Sequence, residues 1–217
     1  MAHEYAEYIW NYFKAKIGNE YGVAGLMGNL QAESALCPYR VQGDFSSGYS
    51  ESKAYTAKVD AGTISANDFI YNGPGGGGYG LAQWTYWSRK QNLYSRWVSG
   101  SYDSIGSIEL ACDYLWWELQ NSYPGVLNTL KSATNVRTPS DSVLHNFENP
   151  ADQSVSVEEK RASMGQAWYD QFHGTGGGTG GDPGGTTPDP EPDPTPIIPK
   201  KRKMSLLLLI LATKGKR

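Results

Sequence analysis

Two glycines placed three residues apart inside an otherwise regular helical pattern constrain this chain more than any other feature. Residues 20–35 (EYGVAGLMGNLQAESA) carry Val23, Leu26, Met27 and Leu30 as an apolar stripe at helical spacing. Beside it runs a second stripe of small residues, Gly25, Gly28 and Ala32. Glycine in a helix interior costs about 1 kcal/mol relative to alanine. A helix that accepts this twice on one face is expected to have another backbone packed closely against it. Cys37-Pro38 then ends the helix, because the residue before proline avoids helical angles.

The rest of the chain up to His173 supplies helices to pack around that one. Residues 4–17 place Tyr5, Ile9, Trp10, Phe13 and Ile17 on one face, and residues 107–121 are apolar on most faces, as a buried helix would be. Shorter helices are expected near 125–133 and 140–147. Ser88-Arg-Lys-Gln91 and Ser156-Val-Glu-Glu159 have the pattern of capping boxes and predict helices over 89–98 and from 156 to near Phe172. Residues 43–80, rich in Gly, Ser and Tyr, predict either a flexible lid or a small irregular β region. The expected fold is therefore mainly α, with one irregular or small β segment.

After His173 the composition changes abruptly. Residues 174–199 are Gly-rich and then Pro-rich and acidic, with almost nothing to bury, and are expected to form a disordered linker between a domain at 1–173 and a tail at 200–217. That tail sets an apolar run between Lys200-Lys-Arg-Lys203 and the closing Lys-Gly-Lys-Arg217. The run falls far short of the roughly 20 residues of a membrane span. Cations on both sides suit it to shallow insertion into an anionic membrane surface; a disordered tail, an oligomerisation element or a segment that anneals to the main domain are the alternatives.

Charge narrows the function classes. Residues 1–173 hold 12 Lys/Arg against 18 Asp/Glu, a net −6, which argues against nucleic-acid binding, since phosphate needs a basic face. Fifteen tyrosines and seven tryptophans beside many polar residues fit either a groove that stacks on flat polar ligands or an aromatic core. Cys37 and Cys112 are too few and too far apart for a metal motif and are expected to be unpaired, buried thiols, although an oxidising compartment could pair them. Cys37 as a nucleophile has no recognisable motif around it. His3, His145 and His173 are isolated, so no metal site is expected, and Gly73–Gly78 lacks the Lys and Ser/Thr of a phosphate-binding loop, so no cofactor is expected either. The start of the chain lacks the basic and apolar regions of a signal peptide, and the protein is expected to be made in a host cytoplasm and released by another route.

Glu33 carries the chemistry. A carboxylate at the C-terminal end of a helix faces the negative end of the backbone dipoles, and Leu30 and Leu26 lie one and two turns before it. Both features disfavour the ionised form, which is what a glycosidase general acid requires. By itself a helical glutamate is more often a solvated surface residue.

The sequence around it is more specific. Gly22-Val-Ala-Gly-Leu-Met-Gly-Asn-Leu-Gln-Ala-Glu-Ser34 resembles the helix bearing the catalytic glutamate of phage tail-type lysozymes. Tyr79-Gly-Leu-Ala-Gln-Trp-Thr85 with Arg89 resembles that family's second motif and the groove-lining Gly-x-x-Gln segment of lytic transglycosylases and goose-type lysozymes. Phe147-Glu-Asn-Pro150, with Arg161, Ala167 and Trp168, resembles its third element, in the same order. The resemblance covers most of residues 5–172. It implies a lysozyme-like helical domain acting on bacterial peptidoglycan at the β-1,4 bond between N-acetylmuramic acid and N-acetylglucosamine. Glu33 would be the general acid, and Tyr79, Gln83 and Trp84 would be groove residues near the scissile sugar.

On this reading Gly78 and Gly80 let backbone approach the glycan, and Gln83 offers a donor and an acceptor to an N-acetyl group or water. Trp84, Tyr86 and Trp87 stack on sugar faces, or Trp84 is core. Glu148 positions Glu33, orients a sugar or ties down the last helix, with Arg161 as its ion-pair partner. A second carboxylate is sought among Asp44, Glu51, Asp60 and Asp68. The short layout looks like an endolysin. A lytic transglycosylase and a non-enzymatic glycan-binding virion module are the alternatives.

Overall fold

A computed structural model of the chain describes residues 4–73 and 77–174. The linker and tail expected at 174–199 and 200–217 lie, apart from Gly174, outside the described residues. Among the described residues the fold is helical throughout. The elements run α1 (Ala6–Ile17), α2 (Glu20–Ser34), α3 (Ser50–Asp60), α4 (Ala66–Tyr71), α5 (Trp87–Ser99), α6 (Ile108–Asn121), α7 (Pro124–Ser132), α8 (Arg137–Val143) and α9 (Val155–Phe172), with a π-helical turn at Leu144–Glu148 between the last two. The segment 43–80, expected to be irregular or β, holds α3 and α4. Its β character reduces to two isolated antiparallel bridges, Val41 with Tyr79 and Tyr79 with Trp84. No helix among the described residues is long and apolar enough to cross a membrane.

Helix α2 is the centre of the domain. Val23, Leu26, Met27 and Leu30 are fully buried, and α9, α8, α7 and α1 pack around it. Its start is capped by the Asn19 side chain, which accepts from the Gly22 N–H. The small-residue stripe does what its cost implies, but it begins earlier than expected. A methyl group on Gly22 would overlap the Leu130 carbonyl of α7. One on Gly25 would lie 2.7 Å from the Ser140 nitrogen of α8, and one on Gly28 would overlap the Arg161 carbonyl and lie 2.6 Å from the Gly165 nitrogen of α9. Ala32 is not part of this contact; it is exposed on the cleft described below. Gly28→Ala is expected to lower stability by about 1–3 kcal/mol through overpacking, despite a helix-propensity gain of about 1 kcal/mol. Urea denaturation at unchanged m-value measures it, and an alanine variant as stable as the parent would rule out the close approach.

Neither expected capping box forms. Helix α5 starts at Trp87 behind Tyr86, and α9 starts at Val155 behind Ser154, neither with a side-chain cap, so Ser88 and Ser156 sit inside the first turn of their helices. Cys37 and Cys112 are free and buried, and burial pushes both thiols above the usual cysteine range. Cys37 thus lacks the exposed surroundings of a reactive cysteine.

Candidate functional site

The C-terminal end of α2 opens onto a cleft of about 550 Å³, lined among others by Ala32, Glu33, Arg40, Gln42, Phe45, Gln83, Tyr86, Arg89 and Glu148. Glu33 reaches it because α2 stops at Ser34. Ala35 and Leu36 then take left-handed angles (φ 54° and 61°), and the Ser34 hydroxyl donates to the Leu81 carbonyl at 2.7 Å. This last bond ties the helix end to the 79–84 turn and sets Glu33 beside Gln83 in one cleft. Gln83 (φ 43°) and Asn149 (φ 46°), both in the wall, also have left-handed backbone. Non-glycine residues in that region cost energy, and such strain gathers at functional sites.

Glu33, Gln83, Tyr86 and Glu148 are thus brought together, while Tyr79 and Trp84 are not. Tyr79 is 1% exposed and Trp84 fully buried, so neither is the groove residue that the motif implied. Tyr79 bonds its hydroxyl to Thr56 Oγ1 at 2.8 Å. Trp84 donates its indole N–H to Glu118 Oε2 at 2.7 Å. Both hold the turn from beneath, and it is the turn's other face that meets the cleft. The glycines of the motif serve the same purpose. A methyl on Gly78 would lie 2.6 Å from the Gln83 carbonyl oxygen, and one on Gly80, itself at φ 80°, 2.9 Å from the Trp84 ring. They make room for the turn's own atoms, not for a glycan. Gln83 is similarly committed: its side-chain NH2 donates to the Arg40 and Gly80 carbonyls, both at 3.0 Å, so its donors are not free for a ligand. Tyr86 is 74% exposed on the rim, with Phe45, 89% exposed, also in the wall. Trp87 stacks on Tyr71 with ring centroids 5.9 Å apart.

The charges are arranged in pairs that the sequence did not reveal. Arg161, expected to pair with Glu148, instead donates to Glu33 Oε1 at 2.6 Å and to Asn29 Oδ1 at 3.1 Å. Arg89 binds Glu118 through two nitrogens, at 2.7 and 2.9 Å. Glu148 is left with neither: its Oε1 is sealed from solvent with no hydrogen-bond partner among the described residues. Burial, reinforced by the charge of Glu33, holds the Glu148 carboxyl well above the usual carboxylate range.

The four carboxylates considered as partners for Glu33 do other work. Asp44 accepts from the backbone and hydroxyl groups of Ser46 and Ser52, and these bonds outweigh its burial and hold it well below the usual range. Asp60 accepts from Ser104 and Ile105, Asp68 accepts from the hydroxyl of Ser65, the N-cap of α4, and Glu51 lies exposed in the first turn of α3. The second carboxyl of the cleft is Glu148. Arg40 and Phe45 were missed because they flank or fall within the segment read as irregular. Glu118 had a signal, an acid set among Leu115, Trp116, Trp117 and Leu119 in α6. The two described histidines are bound to carboxylates, His145 to Glu158 and His173 to Glu20. Among the described residues no cluster could hold a metal ion.

A small helical domain with an open cleft lined by two carboxyl groups, one at the end of its central helix, has the layout that glycoside-cleaving proteins use. The chain belongs to the phage tail lysozyme family, whose model matches residues 4–172. It is accordingly a lysozyme-like peptidoglycan hydrolase. No solved structure matches the chain.

Proposed function

We propose that the protein hydrolyses the β-1,4 bond between N-acetylmuramic acid and N-acetylglucosamine in bacterial cell walls, with Glu33 as general acid. The observation that carries this reading is the position of Glu33: at the exposed end of a rigid, fully packed helix, inside the cleft and beside the Gln83 turn. Glu33 gives its proton to the leaving glycosidic oxygen as the sugar's positive charge develops. The carboxylate left behind faces Arg161, which stabilises it. Tyr86 and Phe45 offer the rim an aromatic surface for sugar faces. Thr85, Gln42 and Asn149 supply polar contacts along the wall.

Digestion of purified sacculi tests the reaction directly. The expected outcome is a steady release of new reducing ends, with mass spectra showing N-acetylmuramic acid at a hydrated reducing terminus. Products ending in 1,6-anhydro sugars would replace hydrolysis by transglycosylation. A lack of any new ends would leave a binding module instead.

A further inference from the structure

We propose that Glu148 is the proton reservoir of the cleft, a positioning residue that carries, in the free protein, the hydrogen that Glu33 delivers to substrate. The inference rests on the glycosidase reading for its catalytic consequence, but its structural basis is independent. Four charged groups from four elements face Glu148: Glu33 on α2, Arg89 on α5, Glu118 on α6 and Arg161 on α9. On its own π-helical turn, His145 is turned to Glu158 and Gln153. The four form two closed pairs, Arg161 with Glu33 and Arg89 with Glu118, and the pairs cancel in charge. An ionised Glu148 would be a fifth, uncompensated charge, with one oxygen sealed from water and bonded to nothing. Glu148 is only half-buried and lines the cleft, but sealing one of its oxygens away without a partner favours the protonated group.

The proton of the cleft therefore rests on Glu148, while Glu33 holds the arginine. Transfer within the cleft turns the Glu148 carboxyl into a carboxylate and the Glu33 carboxylate into a carboxyl, with no change in net charge. Arg161, whose charge acts on both, changes partner. Glu33 then protonates the leaving oxygen, water adds its hydroxide to the sugar, and the remaining proton of that water restores the pair.

The test has two arms on the full-length chain. In the first, glutamate carboxyls labelled with carbon-13 are titrated by NMR. Glu148 is expected to titrate well above the ordinary glutamate value of about 4.3, and its midpoint is expected to fall in Glu33→Gln, which removes the neighbouring negative charge. A Glu148 resonance that titrates with the exposed glutamates, or that Glu33→Gln leaves in place, overturns the proposal. In the second, Glu148→Gln keeps the shape but has no proton to give. Its kcat on sacculi is expected to fall about 100-fold, with KM little altered and the alkaline limb of the pH profile displaced. Unchanged kcat and pH profile in that variant also overturn it. If the unmodified protein cleaves no glycan, the glycosidase reading fails alone, and the NMR arm still decides whether Glu148 holds a proton.

Discussion

Glu33→Gln is expected to reduce the release of reducing ends from sacculi by about 10²–10⁴-fold, the usual worth of a general acid, while the protein stays folded. The fold survives because the substituted group stands at the edge of the structure: its side chain is 19% exposed, and the glutamine oxygen still accepts from Arg161. The bonds that hold the end of α2 in place come from Ser34 and Asn29, not from Glu33. Circular dichroism and thermal melting should therefore match the parent. Full activity in a variant with that unchanged melt would remove Glu33 from the reaction.

Glu118→Ala is expected to be the most damaging single change to stability, at about 3–5 kcal/mol, the cost of removing one partner of a buried ion pair. Glu118 is 2% exposed and accepts four hydrogen bonds: two from Arg89, one from the Trp84 indole at 2.7 Å and one from the Tyr114 hydroxyl at 3.0 Å. Alanine would leave the mostly buried Arg89 guanidinium without its anion, and its charge would turn to Glu148. For a domain of this size the melting midpoint should drop by about 6–20 °C. Because Trp84 carries the turn that positions Gln83, activity should fall at temperatures where the variant is still folded. A midpoint within a degree or two of the parent would show that the network does not hold the turn.

Much of this molecule is legible in short stretches of sequence, and the boundary of that legibility has a cause. Helix α2, its small-residue stripe and its end near Cys37 all depend on neighbours within a few residues. Helical periodicity and the missing Cβ are local properties. The same reasoning placed α1 and α6 with their buried faces, and it correctly left Cys37 and Cys112 apart. It failed over 43–80, where α3 and α4 have weakly patterned, polar faces and are held by the tertiary structure around them.

The site shows the same division more sharply. That position 33 would bear a carboxylate at a helix end was written in the chain. Which arginine would face it was not: Arg161 lies 128 positions away, and the sequence pointed it to Glu148. Whether Trp84 would meet a sugar or a buried glutamate depended on α6, 34 positions further on. Burial and charge pairing are set by what the folded chain brings together across such separations. Only the packed structure could decide that one carboxyl of the cleft is paired and the other is not.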